Sequence, residues 1–165
     1  MTLSASCVVI NVDTIDRVLT DPTIIATKLG DKDVHLVVNQ AALTKLNVAS
    51  IGCVFDGGGS AIAVDSYVDV SIPYACTINS NVMLADQSGS IVIDVRKDTY
   101  TNFPPAGADS ICASAKPTIS GAAKSTDTTL TGWSTTVTAG DTIRFYVESC
   151  TTITKCTLVL KVTKS

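Results

Sequence analysis

Ser90-Ile-Val-Ile-Asp-Val-Arg-Lys97 decides the fold class. Ile91, Ile93 and Val95 stand at every second position with Asp94 and Arg96 between them, the period of a strand with one apolar and one wet face. Residues 67–72 repeat it, with Val68, Val70 and Ile72 on one face and Tyr67, Asp69 and Ser71 on the other. So do residues 142–148, through Ile143, Phe145 and Val147, and residues 151–163, where Leu158, Leu160 and Val162 keep register. Residues 76–85 read as a further strand, with Ile78 in its first half and Val82, Met83 and Leu84 in its second. Residues 111–119 and 128–133 read as shorter ones. Turn signals punctuate these runs: Pro73, Asp86-Gln-Ser-Gly89, the loop 98–107 with Tyr100, Phe103, Pro104 and Pro105, and Ala139-Gly-Asp141. Strands broken by turns at such spacing predict an all-β fold, an antiparallel β-sandwich or jelly roll, over residues 53–165.

Composition agrees. Val, Ile and Thr number 19, 14 and 23, a third of the 165 residues, and β-branched side chains favour strand over helix. Charged residues are 16% against a usual quarter, and the net charge is −3, so binding to nucleic acid is not expected. No apolar run approaches the roughly 20 residues of a membrane-spanning helix, so no membrane partner is expected either.

Residues 1–52 have a different texture and read as an N-terminal arm or anchoring segment. Cys7-Val-Val-Ile-Asn-Val12 is a short extended run, residues 13–20 have helical spacing, Val34-His-Leu-Val-Val38 is a second strand-like run, and residues 40–46 suit one or two helical turns. Phe55-Asp-Gly-Gly-Gly-Ser60 reads as a turn near the boundary between arm and body. The N-terminus has no basic stretch followed by a long apolar one, so a secretory signal is not expected. Six cysteines (Cys7, Cys53, Cys76, Cys112, Cys150 and Cys156) have irregular spacing and no C-x2-C, which predicts reduced, buried thiols rather than a disulfide framework or a zinc site. Cys150 and Cys156 read as facing each other on one hairpin.

Chemistry is sparse. Asp56-Gly-Gly-Gly-Ser60 lacks the spacing and the lysine of a phosphate loop. His35 is the one histidine, set between Val34 and Leu36, and no serine has the surroundings of a hydrolase nucleophile. Asp65 with Asp69, or Asp94 with Asp98, are candidate carboxylate clusters for calcium or for glycoside hydrolysis, against the plainer role of aspartate in turns. Tyr100, Phe103 and Trp133 are candidates for a sugar-binding groove, against the plainer role of plugging the ends of the fold. The expectation is a non-enzymatic protein without catalytic residues, cofactor or metal.

A set of ordered segments carries a resemblance. Cys53-Val-Phe-Asp-Gly-Gly-Gly-Ser-Ala-Ile62, Ile72-Pro-Tyr-Ala-Cys-Thr-Ile78, Leu84-Ala-Asp-Gln-Ser-Gly-Ser-Ile-Val-Ile-Asp-Val95, Lys97-Asp-Thr-Tyr-Thr-Asn-Phe-Pro-Pro105, Ala115-Lys-Pro-Thr-Ile-Ser120, Leu130-Thr-Gly-Trp133 and Ala139-Gly-Asp-Thr-Ile-Arg-Phe145 together resemble the β-structured module of virion proteins of tailed bacteriophages, of the head-decoration or tail-fibre type. The resemblance covers about residues 53–163. It implies a virion protein assembled in the host cytoplasm, commonly a homotrimer closed by cyclic symmetry. The leading expectation is a capsid decoration (cement) protein that clamps neighbouring subunits of the major capsid protein. Its arm would dock on the shell through Val8, Val9, Ile10, Val12, Val34, Leu36 and Val38, by apolar burial and strand addition. The alternative is a receptor-binding or fibre-tip module of the tail, with Tyr100, Phe103 and Trp133 touching host surface glycan. A depolymerase, which needs a carboxylate pair in a cleft, is the enzymatic competitor.

Overall fold

The computed structural model describes residues 47–165. Seven strands follow one another: β1 (Val48–Asp56), β2 (Tyr67–Ser71), β3 (Cys76–Thr99), β4 (Thr118–Asp127), β5 (Thr136–Val137), β6 (Asp141–Thr151) and β7 (Lys155–Lys164). They form one antiparallel sheet in the order β1-β7-β3-β6-β2, with β4 and β5 also paired to β3. The described residues are therefore mostly β, in a curled antiparallel sheet.

β3 organises the sheet. At 24 residues it is several times the usual strand length. Its residues 76–85 pair with β7, and its residues 90–99 pair with β6. β7 carries β1 on its far side, and β6 carries β2. β4 runs beside both parts of β3, with register breaks on either side of Gly89. Such bulges bend a strand and increase its twist, which lets one sheet curl around one core.

The turn expected at Asp86-Gln-Ser-Gly89 is instead continuous strand. Its turn-forming residues serve a neighbouring connection. The Asp86 carboxylate accepts the backbone N–H groups of Thr154 at 3.2 Å and Lys155 at 3.0 Å, and the Thr154 hydroxyl. Gln87 donates to the Thr152 carbonyl. A Cβ on Gly89 would lie 2.6 Å from the Thr151 carbonyl oxygen, so glycine here admits the chain between β6 and β7 against the bend. The hairpin expected around Cys150 and Cys156 is likewise absent: β6 and β7 are successive but pair with different parts of β3. The five cysteines among the described residues are free.

β1 runs across residues 52 and 53, the expected boundary of arm and body. Its first half already pairs with β7, Val48 opposite Thr163 and Ile51 opposite Leu160, because Ile51, Cys53 and Phe55 alternate into the core. The turn expected after it is present, with Gly58 and Gly59 at φ +65° and +90°. The short strands expected at 111–119 and 128–133 are displaced. Ser110 makes an isolated bridge to Arg96, the regular strand is β4, and residues 128–133 follow as a turn in which Asp127 accepts the N–H groups of Thr129 and Leu130.

The core follows the period-two pattern. Ile91, Ile93 and Val95 of β3 and Ile143, Phe145 and Val147 of β6 have no solvent exposure. Each such side chain contributes roughly 1.5–3 kcal/mol on burial. The arm runs around residues 8–12 and 34–38, and His35, lie outside the described residues.

Candidate functional site

The outer face of the β2-β6-β3 part is built in rows by register. Tyr67 lies opposite Tyr146, which lies opposite Asp94; Asp69 opposite Arg144, opposite Arg96; Ser71 opposite Thr142, opposite Asp98. The pairing makes neighbours of side chains from distant parts of the chain, with Asp94 and Thr142 of these rows themselves buried.

Those rows are tied together. Arg144 donates to both oxygens of Asp69, at 2.8 and 2.7 Å, a two-pronged contact that only guanidinium makes. The bond to Asp69 raises the Arg144 pKa further above its ordinary value. Its guanidinium carbon lies 4.0 Å from the Tyr67 ring centroid and 5.8 Å from that of Phe103. Arg96 lies 3.8 Å from the Tyr146 ring and bonds Asp94 at 2.7 Å. Asp94 is 1% exposed, and it also accepts the Ser110 hydroxyl at 2.5 Å and lies 3.8 Å from the Lys116 ammonium. Lys116 in turn bonds Glu148.

Beside this lattice is a groove of about 470 Å³ lined by Asp69, Ser71, Thr142, Tyr100 and Phe103. The first three form the strand side. The two aromatics come from the 3-10 turn after β3 (Tyr100–Asn102) and the residue beyond it. Asp98 fixes that turn: its carboxylate accepts the Thr99 N–H at 2.7 Å and the Asn102 side-chain amide at 3.1 Å. Tyr100 is 78% exposed and Phe103 48%, high values for large aromatic side chains. The groove thus combines exposed ring faces, two hydroxyls and one carboxylate held by an arginine. Among the described lining residues Asp69 is the one carboxylate, where glycoside hydrolysis uses a pair.

Trp133 is elsewhere. It is 9% exposed, belongs to the buried cluster, and donates its Nε1–H to the Ala115 carbonyl at 2.8 Å. Tyr100 and Phe103 are therefore brought together and Trp133 is not. Of the strand side of the groove, Asp69 is expected from the sequence only as a partner of Asp65, and Ser71 and Thr142 are not expected as site residues. The signal for that side is the polar face of residues 67–71, which becomes a site only once β2 is paired with β6.

The candidate carboxylate clusters separate. Asp65 accepts from the Tyr146 hydroxyl, Asp69 from Arg144, Asp94 from Arg96 and Ser110, and Asp98 from its own turn. Among the described residues no three potential metal ligands cluster. Burial pushes the Cys53 and Cys112 thiols up to about 12 and Cys156 to about 11, so none of the three provides a thiolate at neutral pH.

The outer face of the β1-β7-β3 part is less tied: its charged groups are the exposed Asp56–Lys155 pair at 3.0 Å and Lys161. Val54 lies opposite Thr157, which lies opposite Leu84, and Val82 lies opposite Val159. Val54 is 56% and Leu84 53% exposed, and Val48 on β1 is exposed as well. β1 pairs on one side with β7, and among the described residues nothing pairs with its other edge. Neither a protein-family model nor a curated protein matches this chain.

Proposed function

We propose that the chain is a non-enzymatic structural protein of a tailed-phage virion, and within that class a capsid decoration protein that clamps neighbouring subunits of the major capsid protein as a homotrimer. We read its body as a β-sandwich of jelly-roll type. Two strand pairs, β1-β7 and β2-β6, are carried on separate parts of β3 around shared buried side chains, which supports that reading. One observation carries the functional reading: exposed Val54 and Leu84 on either side of Thr157, next to the edge of β1 that has no partner among the described residues. Large apolar side chains left exposed on neighbouring strands are a feature of interaction surfaces. An unguarded strand edge invites a further strand. Residues 1–46, which carry the runs Val8–Val12 and Val34–Val38, precede β1 in the sequence.

Co-sedimentation with undecorated capsids tests it. The full chain should pellet with the particles. Both a deletion of residues 2–20 and a Val54→Lys, Leu84→Glu double variant should stay in the supernatant while remaining folded. Full decoration by either variant would remove that surface from the interface.

A receptor-binding module at the tail is the second reading, favoured by the exposed Tyr100 and Phe103 over a polar groove. Immunogold labelling of intact virions with antibody against residues 53–163 separates the two. Gold over the head supports decoration, and gold at the tail end supports receptor binding.

A further inference from the structure

The groove on the β2-β6 face has a charge balance that narrows its ligand. Asp69 is neutralised on the spot by the two-pronged contact of Arg144, whose guanidinium carbon also lies 4.0 Å from the Tyr67 ring centroid and 5.8 Å from that of Phe103. No unpaired cation remains among the described lining residues for a phosphate, sulfate or carboxylate. An anionic ligand would find no free cation there to balance its charge, because the guanidinium beside the groove is already engaged by Asp69. A wholly apolar ligand fails for the opposite reason, since it would strip water from the Ser71 hydroxyl and from the lone pairs of Asp69 that Arg144 leaves free. The lining therefore suits a molecule with hydroxyls on its edge, an apolar face and no charge.

We infer that the groove formed by Asp69, Ser71, Thr142, Tyr100 and Phe103 is a binding site for an uncharged pyranose, a hexose or a neutral glycoside. The inference rests on the receptor-binding reading of this face and gives it a ligand class. The C–H face of the sugar packs on the rings of Tyr100 and Phe103, which supply contact area at small entropic cost. Its hydroxyls reach the exposed Ser71 hydroxyl, and Asp69 accepts two of them with the lone pairs that Arg144 leaves free, while Thr142, 4% exposed, lines the groove beneath. Arg144 is a positioning residue: it orients the carboxylate. The volume, about 470 Å³, falls within the range of small-molecule sites.

Saturation-transfer NMR and calorimetric titration of the full chain test this. The neutral probes are methyl α-glucopyranoside, methyl α-mannopyranoside and methyl β-galactopyranoside, and the charged probes are glucuronic acid and N-acetylneuraminic acid. At least one neutral glycoside should bind, with transfer concentrated on its ring C–H protons, and neither acid should. Tyr100→Ala, at an exposed position, and Asp69→Asn should each weaken that binding by about tenfold or more, while Tyr100→Ala leaves the unfolding temperature unchanged. Binding of the acids alone would overturn the neutral class and leave the receptor reading standing. Undiminished binding of a neutral glycoside by both variants would move the site away from the groove. Binding of neither class would overturn this inference, and an unchanged host adsorption in a Tyr100→Ala phage would then overturn the receptor reading as well. A change of sedimenting mass in Tyr100→Ala would make the groove an interface between copies of this chain, against the inference.

Discussion

The two parts of β3 present similar inner faces and contrasting outer ones. Inside, Ile78 and Met83 of the first part and Ile91, Ile93 and Val95 of the second are all buried in the same cluster. Outside, the first part shares rows with Val54, Thr157 and Val159. The second shares rows with two arginines, two tyrosines and two aspartates held by ion pairs and ring contacts. The inner faces answer to one requirement, burial. The outer faces are free to differ, and the proposed recognition rests on that difference. The less tied face offers area without direction, which suits a flat subunit contact. The other offers fixed polar groups and exposed rings, which suit a small ligand.

The contrast predicts unequal sensitivity to substitution. Asp94→Ala removes a carboxylate that is 1% exposed and strands Arg96, Ser110 and Lys116 without it. Breaking a buried ion pair from one side costs on the order of 3 kcal/mol, and chemical denaturation should show a loss of that size. Leu84→Ser on the less tied face should change stability by less than about 0.5 kcal/mol. Equal losses would mean that the less tied face is as structural as the other, and the division of labour argued above would fail.

The join between the two parts should be the next most sensitive place. Gly89→Ala puts a Cβ 2.6 Å from the Thr151 carbonyl oxygen and 2.4 Å from the Thr152 hydroxyl, so the chain between β6 and β7 must move. Overpacking of this kind costs roughly 1–3 kcal/mol. A variant with wild-type thermal stability would show that the bend is slack and that the two parts of the sheet are only loosely tied.

That glycine also marks how far sequence reasoning reaches. The alternating strands at 67–72, 90–97 and 142–148 are legible because each large apolar side chain stands at every second position and the core needs no more than that. Residues 120–127 are not: Ser-Gly-Ala-Ala-Lys-Ser-Thr-Asp holds no large apolar side chain, and β4 exists because β3 offers it a partner. Asp86 and Gly89 are of turn-forming type, yet they act across space, one bonding the β6-β7 connection and the other admitting it. At the groove, Tyr100 and Phe103 are legible as loop aromatics, while Asp69, Ser71 and Thr142 join them only through the β2-β6 register, which no local pattern encodes. Trp133 shares their residue type and not their place.

The smallest expected effect lies at the same corner and is read through pH. Hydrogen bonds from the Thr154 hydroxyl and from the Lys155 N–H hold the Asp86 carboxyl below its ordinary value of 3.8. A depressed folded-state pKa means that the unfolded chain takes up the proton first. The stabilisation from ionised Asp86 is therefore complete above 3.8 and disappears as the pH falls through the lower folded value. Asp56 and Asp127 are shifted the same way by their own turns, so the whole molecule should weaken in acid. The contribution of Asp86 is isolated by subtraction: the stability difference between the wild type and Asp86→Asn should shrink as the pH is lowered from about 5 to about 2, because only one of the two loses a charge. A difference that stays constant over that window would show that the carboxylate holds the corner by shape alone, and that the tie between the two parts of β3 owes nothing to its charge.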